Sequence, residues 1–258
     1  MRLLRDGPEG VLTWEPSGDP VALERGVAEA CRHAFADQGL HRLVARVAVD
    51  DTVGRRTLHR QGFRFEGLLR GAARRPDGTY TDLRQYARLA TDVAAGRDGF
   101  TAVMNTVTPR KRLIAHALVQ DAAARVLLCE TSFKPDWELP GGIVEPFESP
   151  AGGLSREMEE EMGWGPEVGR PLVVDWLRPY LGWEDALELV FATRTVSETD
   201  ATRLTADGHE ILALHWLTPD AAVERMTDFG GRRLRAALAA ASEGTTRYTE
   251  GGSPRPSR

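Results

Sequence analysis

Lysine is nearly missing from this chain: of 33 basic residues, only Lys111 and Lys134 are lysines. That skew is a coding bias first and a functional signal second. Cysteine is also scarce, with Cys31 in a helical-looking stretch and Cys129 in the apolar run "RVLLCE". Two thiols so far apart in sequence read as buried free side chains rather than a disulfide framework. No apolar run approaches the ~20 residues of a membrane span, and the opening "MRLLRDGPEG" lacks the apolar core of a signal peptide. A cytoplasmic protein is therefore expected. An excess of charge is missing as well. The formal net charge of -5 offers no global attraction to nucleic acid or to a membrane surface. Internal repeats are absent.

What is present suits a globular chain. Its 258 residues fit one large or two modest domains. The small and polar stretch Thr91–Gly99 reads as a linker between structured halves, residues 1–90 and 100–242. The Gly-, Ser- and Pro-bearing tail over 243–258 reads as disordered. In the first half "GVLTWEP" reads as extended, "VALERGVAEACRHAFADQG" as a helix and "RLVARVAV" as a strand. A short helix, "DTVGRRTLHRQG", and two more strands, "FRFEGLLR" and "TYTDLRQYARLA", complete it. In the second half "RLIAHALVQD" and "RVLLCE" suggest a hairpin. Strands follow at "PLVVDWLRP", "ALELVFATRTV" and "ILALHWL", then a helix start at Thr218-Pro219 and a last helix, "GRRLRAALAAASEG".

The segment "GGIVEPFESPAGGLSREMEEEMGW", Gly141–Trp164, places five glutamates in the fourteen residues Glu148–Glu161. Ser149-Pro150 supplies a helix start and Gly163 a stop. Between them Glu157, Glu160 and Glu161 share one face, Glu159 points away, and Ala151, Leu154, Met158 and Met162 form an adjoining apolar stripe. Like charges so spaced repel by a few tenths of a kcal/mol per pair. A solvated acidic face is one reading. The other is a cation site, because clustered carboxylates are the hard oxygen ligands that Mg²⁺ takes.

Neither reading stands alone, because the segment also fits a known motif. Gly142, Glu148, Arg156, Glu157, Glu160, Glu161 and Gly163 fit G-x5-E-x7-R-E-U-x-E-E-x-G-U, with Met158 and Trp164 at the apolar positions. That is a complete Nudix box. With its lead-in "WELPGG", residues 100–242 resemble a Nudix hydrolase. The resemblance implies an α/β (α+β) architecture, an α/β/α sandwich around a mixed sheet. It also implies hydrolysis of a phosphoanhydride in a nucleoside diphosphate linked to another group. Further, it implies that Glu157, Glu160, Glu161 and the Gly142 carbonyl hold Mg²⁺ or Mn²⁺, with Arg156 and Glu148 orienting them. Glu160 or Glu161 deprotonates the water on this reading, or else Glu210 in "DGHEILALHW" does. Trp176, Tyr180 and Trp183 are candidates for stacking a nucleobase, or are core and rim aromatics.

"CRHAFADQGLHRLVARVAVDD", "GFRFEG" and "DGTYTDLRQYARL" are similar to the second half of a GNAT-type acetyltransferase, over Gly18–Leu89. The resemblance places a pyrophosphate-gripping turn at "GDPVA", Gly18–Ala22. There Pro20 has no N–H to give and Asp19 brings negative charge, while the family's asparagine and serine fall on Asp51 and Gly54. An inactive, partial GNAT-like mixed-sheet module is expected, its open sheet edges suggesting a homodimer. Two other functions compete with the hydrolase: an acetyltransferase using acetyl-CoA, which Pro20 argues against, and a non-catalytic nucleotide sensor. Sensors of that kind tend to lose box carboxylates, and here every one is present.

Overall fold

The alternation in "RLVARVAV" becomes the middle strand of a sheet, and neighbouring segments pair to it in turn. In the computed structural model, which describes residues 1–15, 19–180 and 182–255, the chain divides into two units, Met1–Pro109 and Arg110–Arg258.

The first unit has strands β1 (Arg2–Asp6), β2 (Glu9–Thr13), β3 (Arg42–Ala48), β4 (Arg64–Arg74) and β5 (Tyr80–Leu89) in the order β1-β2-β3-β5-β4. Helix α1 (Pro20–Arg32) makes the crossover between the parallel pair β2 and β3, and α2 (Thr52–Arg60) follows β3. Leu23, Val27, Cys31, Leu43, Leu58, Phe63 and Tyr86 form its core. The expected linker over 91–99 is corrected by a helix, α3 (Gly96–Val107). Glycine there serves close packing, not looseness: a Cβ on Gly99 would sit 2.7 Å from the Ala94 carbonyl carbon. Thr106 Oγ1 accepts from the Phe65 N–H of β4 at 3.0 Å. The second unit accordingly begins at 110 and not at 100.

That unit contains β6 (Arg112–Leu118), β7 (Val126–Thr131), β8 (Gly141–Ile143), α4 (Pro150–Met162), β9 (Val168–Leu177), β10 (Ala186–Thr193), α5 (Glu198–Ala201), β11 (Ile211–Leu217), α6 (Pro219–Arg225), α7 (Asp228–Glu243), β12 (Arg247–Glu250) and β13 (Ser253–Pro254). A six-stranded mixed sheet runs β13-β12-β9-β10-β6-β8, beside a two-stranded β11-β7 ribbon. Leu154, Met158 and Met162 of α4 pack with Ala115, Ala117 and Phe191. Leu234 and Ala237 of α7 pack with Leu118, Val173 and Val190 in a second core. The result is an α/β/α sandwich, as expected.

The tail departs from expectation. Residues 243–255 are not a disordered end: β12 pairs in parallel with β9, and β13 turns back on it. Composition missed this because Gly251 and Gly252 serve a tight turn at positive φ, 61° and 74°. The last three positions of that tail, 256–258, lie outside the described residues. A buried polar chain holds α7 to the sheet. Arg233 donates to Asp175 Oδ2 (2.9 Å) and to Glu188 Oε1 (2.5 Å), and Glu188 Oε1 also bonds His116 Nδ1 (2.7 Å). Burial by itself raises the Glu188 carboxyl, but Arg233 and His116 hold it below its ordinary value. Among the described residues, no helix is long and apolar enough to cross a membrane.

Candidate active site

The box folds as a strand end, a loop and a helix. Ser149 Oγ accepts from the Gly152 N–H at 3.1 Å, Pro150 occupies the first turn, and Gly163 ends α4 at φ 68°. Burying Leu154 and Met158 turns Glu157 and Glu161 toward β8 and leaves Glu159 and Glu160 exposed. Glycine is required at that strand end. A Cβ on Gly141, at φ 118°, would lie 2.3 Å from the Ala115 carbonyl oxygen, and one on Gly142 would lie 3.1 Å from the Glu157 carboxyl.

Arg156 organises the acids. Its Nε and Nη2 fork onto Glu148 at 3.2 and 2.8 Å, and its Nη1 reaches Glu157 (3.0 Å) and Glu160 (3.1 Å). Glu148 Oε1 in turn accepts the Glu145 N–H at 2.6 Å, which fixes the loop. The bonds from Arg156 and Glu145 hold the Glu148 carboxyl below its ordinary value.

Glu161 is the most constrained member. It is 7% exposed, and among the described residues its Oε2 has no hydrogen-bond partner. Burial, then the charge of Glu157, raises its pKa to about 8, against the stabilising N–H of Gly141. Glu157 is raised too, by burial first, with Arg156 opposing and Glu160 and Glu210 adding to the rise. The charge of Glu210 bears on both carboxyls, so the loop before β11 faces the cluster. The loop is tied to α4 directly. Asp207 N–H donates to the Glu161 carbonyl at 3.0 Å, and the Asp207 carboxylate accepts the Glu210 N–H at 3.3 Å. Sequence reading missed Glu138 and Cys129, which crowd Glu161 from β7 and its neighbouring segment. No spacing rule links them to the box.

Among the described residues, no three His, Cys, Asp or Glu side chains are gathered as a ready metal site, since Arg156 draws Glu157 and Glu160 to itself. The donor set nevertheless fits a divalent cation. A buried carboxylate oxygen without a partner, beside a second carboxyl raised by burial, is relieved by positive charge and hard-ligand coordination.

The aromatic candidates separate. Tyr180 and Trp183 line a cavity of about 450 Å³ together with Phe229, and the Tyr180 and Phe229 rings meet edge to face at 5.2 Å. Arg112 lies over the Trp183 ring at 4.6 Å. Trp176 does not line the cavity: its indole N–H is spent on Asp185 at 3.2 Å. Phe229, Arg232 and Gly251 on the cavity wall were invisible in sequence, because α7 and the tail carry no motif.

The NUDIX domain model matches residues 110–238. A MutT-like protein of Streptomyces ambofaciens is 34% identical over 114 residues, 44% of this chain and 68% of that protein. A CMP-5'-(N-acetyl-N-hydroxy-3-aminopropyl)phosphonate hydrolase of Streptomyces rubellomurinus is 40% identical over 73 residues, 27% of this chain and only 34% of that protein. Among solved structures, the MutT protein of Methanosarcina mazei Go1 is similar at 19% identity, covering 54% of this chain and 98% of that one, with a TM-score of 0.44.

Proposed function

Because this chain belongs to the NUDIX family over residues 110–238, and with it to the pyrophosphohydrolases, we propose that it hydrolyses, with Mg²⁺ or Mn²⁺, a phosphoanhydride in a nucleoside diphosphate linked to another group. The observation that carries this reading is the unpartnered, buried Glu161 Oε2 at the turn where α4 meets Gly141 and Gly142. Glu157, Glu160, Glu161 and the Gly142 carbonyl would hold the cation. A divalent ion bound there supplies charge neutralisation for the diphosphate and acidifies water. Arg156 and Glu148 keep the carboxylates aimed, as outer partners of metal ligands do. Glu210, whose carboxylate makes no hydrogen bond among the described residues, accepts the proton of the attacking water. Tyr180 and Trp183 stack on the base, and Trp176 is withdrawn from that role. The phosphonate hydrolase relative supports the substrate class, since its name describes CMP joined to a second group.

The first unit is, on this reading, a partial GNAT-like module without transferase activity, working in the cytoplasm and able to dimerise through an open sheet edge. Asp19 supports its inactivity: its Oδ1 takes the Val21 and Ala22 N–H groups at 2.9 and 3.2 Å, leaving the start of α1 closed to a phosphate. Gly18 of that turn lies outside the described residues. The test is phosphate or nucleoside monophosphate release, with and without Mg²⁺, from nucleoside triphosphates, ADP-ribose, NADH, diadenosine polyphosphates and coenzyme A. Metal-dependent turnover of one compound is expected. Silence from a folded protein across the panel would favour the sensor instead.

A further inference from the structure

One wall of the cavity beside Trp183 is built by residues beyond 238, outside the stretch that the family model matches: Glu250 of β12, Gly251 of the turn that follows and Ser253 of β13. That turn is keyed into the core. Thr249 Oγ1 and the Gly252 N–H both donate to Asp175 Oδ1, at 2.7 and 2.9 Å, and Asp175 is wholly buried. From outside, Arg232 Nε and Nη2 grip the Gly251 carbonyl at 3.1 and 2.8 Å. Gly252 is pressed so closely on α7 that a Cβ would lie 2.4 Å from the Phe229 carbonyl oxygen. Phe229 is the residue whose ring meets Tyr180. The seat of the hairpin and the aromatic wall therefore share one anchor at the start of α7.

We infer that the C-terminal hairpin, Arg247–Pro254, is a structural part of the ligand site, and that its seating on Asp175 sets how tightly the cavity holds the ring-bearing end of a nucleotide. The inference rests on the assignment of Tyr180 and Trp183 to the base. The chemistry of the walls fits that class of ligand. Flat aromatic faces suit a heterocycle, and Arg178, exposed at the rim without an ion pair among the described residues, suits an attached phosphate. Thr249 and Asp175 touch no ligand on this account. They are positioning residues that act through the turn.

The experiment is calorimetric titration of ADP, GDP, CDP and UDP into the full chain without metal, for wild type, Tyr180→Ala, Thr249→Val and Thr249→Ser. Thr249→Val keeps the shape and removes the hydroxyl bond to a buried carboxylate. Affinity for the best nucleotide is expected to fall about tenfold, with recovery in Thr249→Ser and with cooperative unfolding retained. Once a substrate is in hand, KM should rise in Thr249→Val with kcat nearly unchanged. Should Thr249→Val not fold, Arg232→Lys carries the test, since it keeps the rim charge but loses the forked grip on Gly251. Wild type that binds no nucleotide, or Tyr180→Ala that binds as tightly as wild type, overturns the base assignment and this inference with it. If binding is lost in Tyr180→Ala and untouched in Thr249→Val or Arg232→Lys, the inference alone is overturned.

Discussion

At the scale of single residues, the site is governed by what burial does to carboxylates. Glu161 moves from an ordinary 4.5 to about 8 because it is buried beside Glu157. Between those values the folded chain retains a proton that the unfolded chain has lost. The stability of the metal-free protein therefore falls as pH rises through that window and levels off above about 8. Glu161→Gln removes the penalty. In chelator at pH 9 it should raise stability by roughly 2–4 kcal/mol, or Tm by about 5–10 °C, and at pH 4.5 it should change little. Calorimetric melts at the two pH values check this. Turnover in the same variant should drop by more than the ~10- to 100-fold typical of losing an outer partner. Arg156→Lys keeps the charge but loses the fork onto Glu148 and the reach to Glu157 and Glu160. It should lower metal-dependent turnover about 10- to 100-fold with the fold intact by circular dichroism. The box itself was findable because its seven positions fit the spacing of a known motif, within the stretch that the NUDIX domain model matches. Glu138 and Cys129 were not, because only the packing of β7 brings them to Glu161.

At the scale of elements, α4 was readable from end to end, its cap, first-turn proline and αL glycine being local signals. Gly142 also had a readable role, and the structure gives it a steric reason. Gly142→Ala drives a methyl group against the Glu157 carboxyl, 3.1 Å from the ideal Cβ. Activity should fall at least tenfold while stability changes by less than about 1 kcal/mol, as measured by urea unfolding beside an assay. α3 was misread for the opposite reason. Gly96 and Gly99 look like linker residues, and nothing local says that Gly99 is there for a close approach to the Ala94 backbone. β12 was missed likewise, since its stability comes from pairing with β9.

At the scale of the molecule, the two units have separate cores. The second is crossed by the chain His116–Glu188–Arg233–Asp175, which continues into Thr249 and Gly252. Those residues span more than a hundred positions, and no sequence pattern joins them. Removing one partner leaves a buried charge uncompensated, so Arg233→Met should destabilise the second unit by about 3–5 kcal/mol, read as a shifted denaturant midpoint.

The central claim is that the carboxylates of α4, Glu161 above all, hold a divalent cation. The most direct measurement is Mn²⁺ titration followed by electron paramagnetic resonance on wild type, Glu157→Gln and Glu161→Gln, at pH 6.5 and pH 8.5. The account predicts binding by wild type that tightens as pH rises and the Glu161 proton leaves, and at least tenfold weaker binding in each variant. Equal Mn²⁺ binding by all three proteins at both pH values would contradict it.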